Sequence, residues 1–264
     1  SVFADENGYP ILKAGTHLTD QSSPWAERWG GWYVTGKHGD ARHMGNVFAV
    51  ETENDASVDR EAGANLATLD ARVDTERYLT AHSDIVALAV LAHQVDVHNL
   101  ITEANFATRA AQYRQAAVDE ILKRDPNTPS ESTLHVVKSA GDKLIESLLF
   151  ANEAKLTGPI RGTSGFAEIF SAQGPRDSQG RSLRDFDLQT RMFKYPLSYL
   201  IYSKSFDGLP ELMKKYVYQS LWDHLIGRVE SRFNAHLSAD TRSAILQVLM
   251  ETKENLPEYW KQKS

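Results

Sequence analysis

Hydrophobic and polar positions change their period along this chain, and the change divides it into two kinds of segment. Over residues 1–50 the apolar runs are short: "SVFA" and "PILKAG" flank "DENGY", and "GWYVTG" and "NVFAVE" flank the glycine-rich "KHGDARHMG". Asn7-Gly8 is a hairpin turn signal, and β-branched and aromatic runs of this length read as strands. The pattern predicts an N-terminal antiparallel β unit of about four strands. Residues 51–80 are polar and irregular.

From Ser83 the period becomes helical. "SDIVALAVLAHQVDVHNLITEANFATRAAQYRQAAVDEILKR" contains neither proline nor glycine, opens on a Ser/Asp cap signal and closes at "DPNTP", which predicts one long helix, or two in sequence, over 83–124. "SESTLHVVKSAGDKLIESLLFAN" predicts a second, capped by Ser130 or Ser132. Residues 157–195 are rich in glycine and arginine and read as irregular, with a short helix near "GFAEIF". "YPLSYLIYS", "LPELMKKYVYQSLWDHLIG" and "SADTRSAILQVLMETKENL" predict further helices, two of them started by Pro210 and by Ser238/Asp240. The expected class is α+β: a β unit with a Gly/His-rich loop over 1–56, then a helical bundle over 57–264 around a central long helix.

Composition narrows the function. The chain has 264 residues, 41% apolar and 24% charged, with a net charge of −6, an ordinary globular balance. No long basic run is present, so nucleic acid is not an expected partner. No continuous apolar stretch approaches the roughly 20 residues of a membrane span, so none is expected. Cysteine is absent, which removes disulfides, thiolate metal sites and a cysteine nucleophile within these residues. The chain begins at "SVFADENGYP", in what reads as mid-strand, and so reads as a mature or excised portion.

Candidate chemistry sits in two places. On the long helix, His93 and His98 lie about 140° apart at 100° per residue, which prevents both from binding one metal. His93 shares a face with Val86, Val90, Val97 and Leu100 and reads either as a buried, hydrogen-bonded histidine or as a ligand or proton-transfer group. His98 lies on a polar stripe with Gln94, Thr102 and Asn105. A third stripe, Asp96, Asn99 and Glu103, needs partners if the helix is central. Arg161, Arg176, Arg181, Arg184 and Arg191 are the expected ones, as internal salt bridges or as an anion or propionate clamp.

The second place is "RWGGWYVTGKHGDARHMGN", Arg28 to Asn46. His38 and His43 are candidate ligands for a metal or haem iron and Met44 is a candidate soft axial ligand. A tight corner packed by Trp29 and Trp32 explains the same composition. "GTSGF" lacks the spacing of a nucleophile elbow, and "GKHGD" lacks that of a phosphate loop.

Four phrases resemble a family of exported bacterial cytochrome c-like proteins: "SVFADENGYPILKAGTHLTDQSSPWAERWGGWYVTGKHGDARHMGN", "HSDIVALAVLAHQVDVHNLITEAN", "GTSGFAEIFSAQGPRDSQGRSLRDFDLQTRMFKYPLSYLIYS" and "LPEYW". Together they span most of the chain in order. The resemblance implies a CxxCH haem-attachment motif shortly before the segment equivalent to Ser1; that motif is absent from this sequence. Ala92 and Leu197 also depart from the family, which is expected to carry Glu and Cys there. The resemblance further implies a periplasmic or otherwise exported redox protein with haem anchored outside these residues. Cofactor contacts would then come from Arg28, His38, His43 and Met44, and after them from His93 and His98. Expected partners are the upstream haem-bearing segment or a redox partner protein. Two other readings stay open: a haem-free binding module with structural histidines, and a non-haem metalloenzyme using the histidines with Asp84 or Glu103. Whether the protein is an enzyme is left undecided by the sequence.

Overall fold

The computed structural model describes residues 3, 5, 7–14, 16–47, 49–51 and 56–261. Its helices are α1 (Ile85–Leu122), α2 (Glu131–Leu148), α3 (Phe166–Ala172), α4 (Lys204–Asp207), α5 (Glu211–Leu225) and α6 (Ala239–Thr252), and its strands are β1 (Ala49–Glu51) and β2 (Ala56–Val58). Two compact units form: Ser1–His93 with Glu153–Gln173 and Arg184–Lys194, and Gln94–Asn152 with Gly174–Leu183 and Tyr195–Ser264.

The expected α+β class is corrected: the chain is helical, and among the described residues no four-stranded N-terminal unit forms. Among the described residues the sheet is one ribbon of two three-residue strands, pairing Ala49 with Val58 and Glu51 with Ala56. Most of "SVFA" (Ser1, Val2, Ala4) lies outside the described residues. The Asn7-Gly8 turn is present, with Gly8 at φ 85° and its N–H donating to the Asp5 carbonyl at 3.0 Å. Yet "PILKAG" coils into a 3₁₀ turn at Leu12–Ala14 instead of extending into a strand. Among the described residues "GWYVTG" makes one isolated bridge, Thr35 with Asp84, and Lys37 just after it makes another with Arg161. The reason is how the backbone is satisfied. Side chains and loop carbonyls take the polar groups of 33–46, so no partner strand is needed.

Asp84 organises the first unit. One carboxylate oxygen accepts from the N–H groups of Val86 (2.8 Å) and Ala87 (3.3 Å), opening α1. The other accepts from Thr163 N–H (2.9 Å), Ser164 N–H (3.0 Å) and Ser164 Oγ (2.7 Å). Burial alone would raise the Asp84 pKa, but the bonds from Ser164, Val86 and Ala87 outweigh it and hold the group below its ordinary value. A Cβ on Gly162 would lie 2.4 Å from this carboxylate, so glycine is required there. Asp84→Asn presents an amide N–H to donors and is expected to cost about 2 kcal/mol by urea denaturation. A depressed carboxylate stabilises above its unfolded pKa and ceases to as pH falls through the folded one. The difference between variant and parent should therefore shrink below about pH 4.

The second unit is a helical bundle. α2 opens on Ser130, whose Oγ accepts from Thr133 N–H at 3.2 Å, and α6 opens on Ser238 in the same way at 3.1 Å. Val137, Leu144, Ile145 and Leu148 of α2, Met213, Val217 and Leu221 of α5 and Ile245, Val248 and Leu249 of α6 are buried, and α5 packs against both α2 and α6. Gly141 lets α2 approach α5, since a Cβ there would meet the Tyr216 ring at 2.5 Å.

α1 is not buried all round. Val86, Val90, His93, Val97, Ile101 and Ala104 are buried, while Leu91, Val95, Phe106 and Tyr113 are exposed, a one-sided pattern at spacings of three and four. By length and composition α1 is also apolar enough to cross a membrane. Core helices of soluble proteins pass the same test.

Candidate functional site

Residues 21–46 of the first unit carry most of its buried polar and aromatic side chains. Trp29 heads the cluster. It is buried and has φ 65°, a left-handed conformation that costs a bulky residue about 1–2 kcal/mol. Edge-to-face rings hold it, with Trp25 at 5.2 Å and His43 at 5.5 Å, and His43 continues the row to His38 at 4.7 Å. Asn46, also left-handed at φ 68°, ties the segment down. Its Oδ1 accepts from Val34 N–H (2.6 Å) and its Nδ2 donates to the carbonyls of Val34 (2.7 Å) and Gly63 (2.8 Å).

The two loop histidines differ in what their nitrogens do. His38 Nδ1 contacts the Ala41 carbonyl, and Nε2 accepts from Asn65 N–H at 2.8 Å. Asn65 returns the bond, its Oδ1 accepting from His38 N–H at 2.7 Å. Both ring nitrogens of His38 are thus engaged within the unit. Burial lowers its pKa.

His43 accepts at Nδ1 from Gly45 N–H (3.0 Å) and therefore carries its proton on Nε2. That Nε2 is buried with no hydrogen-bond partner among the described residues. Trp25 Nε1 is likewise buried without one among the described residues. Burial first, then the charges of His38 and Arg42, holds the His43 pKa down at about 4, so the ring is neutral. Each orphaned donor costs about 1–3 kcal/mol, so an acceptor that reached it would be held firmly.

The remaining candidates are engaged elsewhere. Arg28 is 3% exposed; its Nε donates to the Ser23 carbonyl (2.8 Å) and Nη2 to that of Gln21 (2.9 Å), with the guanidinium 4.8 Å above Trp25. Burial lowers its pKa to about 10 against the pull of Glu153 and Asp20. Met44 packs against Phe3, Ile11 and Val47. His93 Nδ1 lies 2.7 Å from Gln21 Oε1, and burial lowers its pKa to about 3. The half-buried His98 offers its carbonyl to Thr102 Oγ1 at 2.8 Å.

Asp96 of α1 accepts from Ser147 Oγ (2.6 Å) and Glu103 pairs with Lys143 (2.7 Å). Arg181 grips Asp177 (2.6 Å), and Arg184 lies 4.6 Å above the Phe170 ring.

Two residues invisible to motif reading join the network. Gln21 takes Arg28 and Ala154 N–H (3.0 Å) on its carbonyl while its side chain meets His93. Glu153, half-buried, accepts from Met192 N–H at 2.8 Å. Burial raises its pKa to about 7, with Arg191 and Arg28 opposing. No sequence spacing announces either residue, since the partners come from segments far apart in the chain.

Among the described residues, no three His, Cys, Asp or Glu side chains gather to hold a metal ion. No protein-family model matches this chain, and no curated protein or solved structure is significantly similar to it.

Proposed function

We propose that this protein is a haem-associated, exported redox protein, acting in electron transfer or in small-oxidant or ligand chemistry at haem iron, with the haem anchored outside residues 1–264. The observation that supports the reading is His43 Nε2–H, a buried donor without an acceptor among the described residues, set in a row of aromatic rings. Its role differs from the axial one that the resemblance implied. An iron ligand needs a bare Nε2, and Gly45 N–H on Nδ1 keeps the proton on Nε2. Arg28 and His38 are hydrogen-bonded to backbone groups of their own unit, and Met44 packs against Phe3, Ile11 and Val47. His43 therefore acts as a neutral donor toward an oxygen acceptor, a haem carboxylate or a ligand on iron.

The test is absorbance of the protein purified from its native source. A Soret band is expected. His43→Ala should shift it, or weaken an oxygen-donor ligand about 5-fold, with helix content unchanged, since one neutral hydrogen bond is worth about 1 kcal/mol. Absence of a Soret band overturns the proposal. A haem-free binding module is the second reading, favoured by the internal bonds of His38 and His93.

A further inference from the structure

The second unit holds a hydroxyl and an imidazole in a catalytic relation that is independent of the haem reading. His224 stands in the last turn of α5 and is 5% exposed. Its Nδ1 lies 2.6 Å from the Ser220 carbonyl oxygen, which can only accept, so Nδ1 carries the proton. Nε2 then presents its lone pair to Ser231 Oγ, 2.9 Å away. A nucleophile within hydrogen-bond reach of a base, and that base oriented by a third group, is the arrangement that activates serine.

The loop after α5 is built to hold this geometry. Gly227 turns it at φ 75°, and Asn234, 2% exposed, donates to the carbonyls of His224 (3.1 Å) and Val229 (2.8 Å). The Asn234 Oδ1 accepts from Ser231 N–H at 2.9 Å, which fixes the nucleophile's own backbone. Phe233 N–H donates to Ser231 Oγ at 3.1 Å, which orients the hydroxyl toward His224. Ser231 is half-buried, within reach of a small molecule. Phe233, its ring 5.6 Å from His224, forms an apolar flank suited to an aryl ester, with Arg232, paired to Glu146 at 3.1 Å, 5.3 Å above that ring.

We propose that Ser231 is a nucleophile for acyl transfer from small carboxylic esters, with His224 as general base and Asn234 as a positioning residue. Ser231 Oγ bonds to the ester carbonyl carbon as its proton passes to His224 Nε2. The carbonyl–oxygen bond then breaks and the leaving alcohol takes that proton from His224. Water, deprotonated by His224, hydrolyses the acyl-serine and restores both groups.

The test treats the full chain with an alkyl fluorophosphonate and maps the adduct by mass spectrometry, alongside a p-nitrophenyl acetate assay. Ser231 should be labelled stoichiometrically, and far faster in the native than in the urea-unfolded chain. His224→Gln should slow labelling and ester turnover about 100-fold, and Ser231→Ala should abolish both. An unlabelled Ser231, a native rate no higher than the unfolded one, or an undiminished rate in a folded His224→Gln variant overturns the assignment. The native-against-unfolded comparison needs no variant, so it decides even if a substitution unfolds the chain.

Discussion

Gly36→Ala is expected to cost about 4 kcal/mol, read as a fall in the urea midpoint at unchanged slope, because two penalties meet at one position. Gly36 has φ 152°, open to glycine and strained for any residue with a Cβ. A Cβ there would also lie 2.3 Å from Ile85 Cγ2 and 3.1 Å from the Arg161 carbonyl. Ile85 is fully buried and opens α1, and it cannot withdraw without breaking its N–H bond to the Thr35 carbonyl (2.8 Å). Gly39 is the internal control. At φ 55° nothing lies within 4 Å of its Cβ position, so Gly39→Ala carries backbone strain alone, about 1 kcal/mol. Equal losses for the two variants would sink the close-approach account.

Stability should fall as the solution is acidified from pH 6.5 to 4.5, by about 1.4 kcal/mol per pH unit. His43 and His93 have folded pKa values of about 4 and about 3, well below the histidine value of 6.5. In that window the unfolded chain protonates both and the folded chain neither, so each removes stability as pH falls. The pKa of Glu153, raised to about 7 when folded, acts with the opposite sign. It is protonated in the folded chain and ionised in the unfolded one, so it adds stability as pH falls. Two groups against one leave about one proton's worth of slope, to which the depressed His38 adds. Glu153→Gln removes the opposing group and should roughly double the slope to about 2.7 kcal/mol per unit. Urea titrations across the window check this; a slope unchanged by Glu153→Gln would place the carboxyl in water and not in the unit's interior.

The long helix and its neighbours were legible because helical signals are local. A run without proline or glycine after Ser83 becomes α1, Ser130 and Ser238 cap as their hydroxyls suggest, and Pro210 stands before α5. Strand signals are not local in that sense. "GWYVTG" has strand composition, but a strand forms only where a partner edge is offered, and Asn46 and the 83–85 and 161 backbone took the bonds first. The same holds for the site. His38, His43 and Trp29 were visible as types in one loop, whereas the state of each nitrogen depended on Gly45, Asn65 and Ala41.

By itself the sequence determined the helical segments, their caps and the concentration of ligand-capable side chains between Arg28 and Asn46. Tertiary structure alone decided that those residues coil against the start of α1, that His43 keeps a buried proton while His38 is spent on Asn65, and that Ser231 meets His224. The physical reason is range. Helix and cap energies are set by residues within one turn of each other, but burial, proton position and hydrogen-bond partnership depend on groups that only folding brings together.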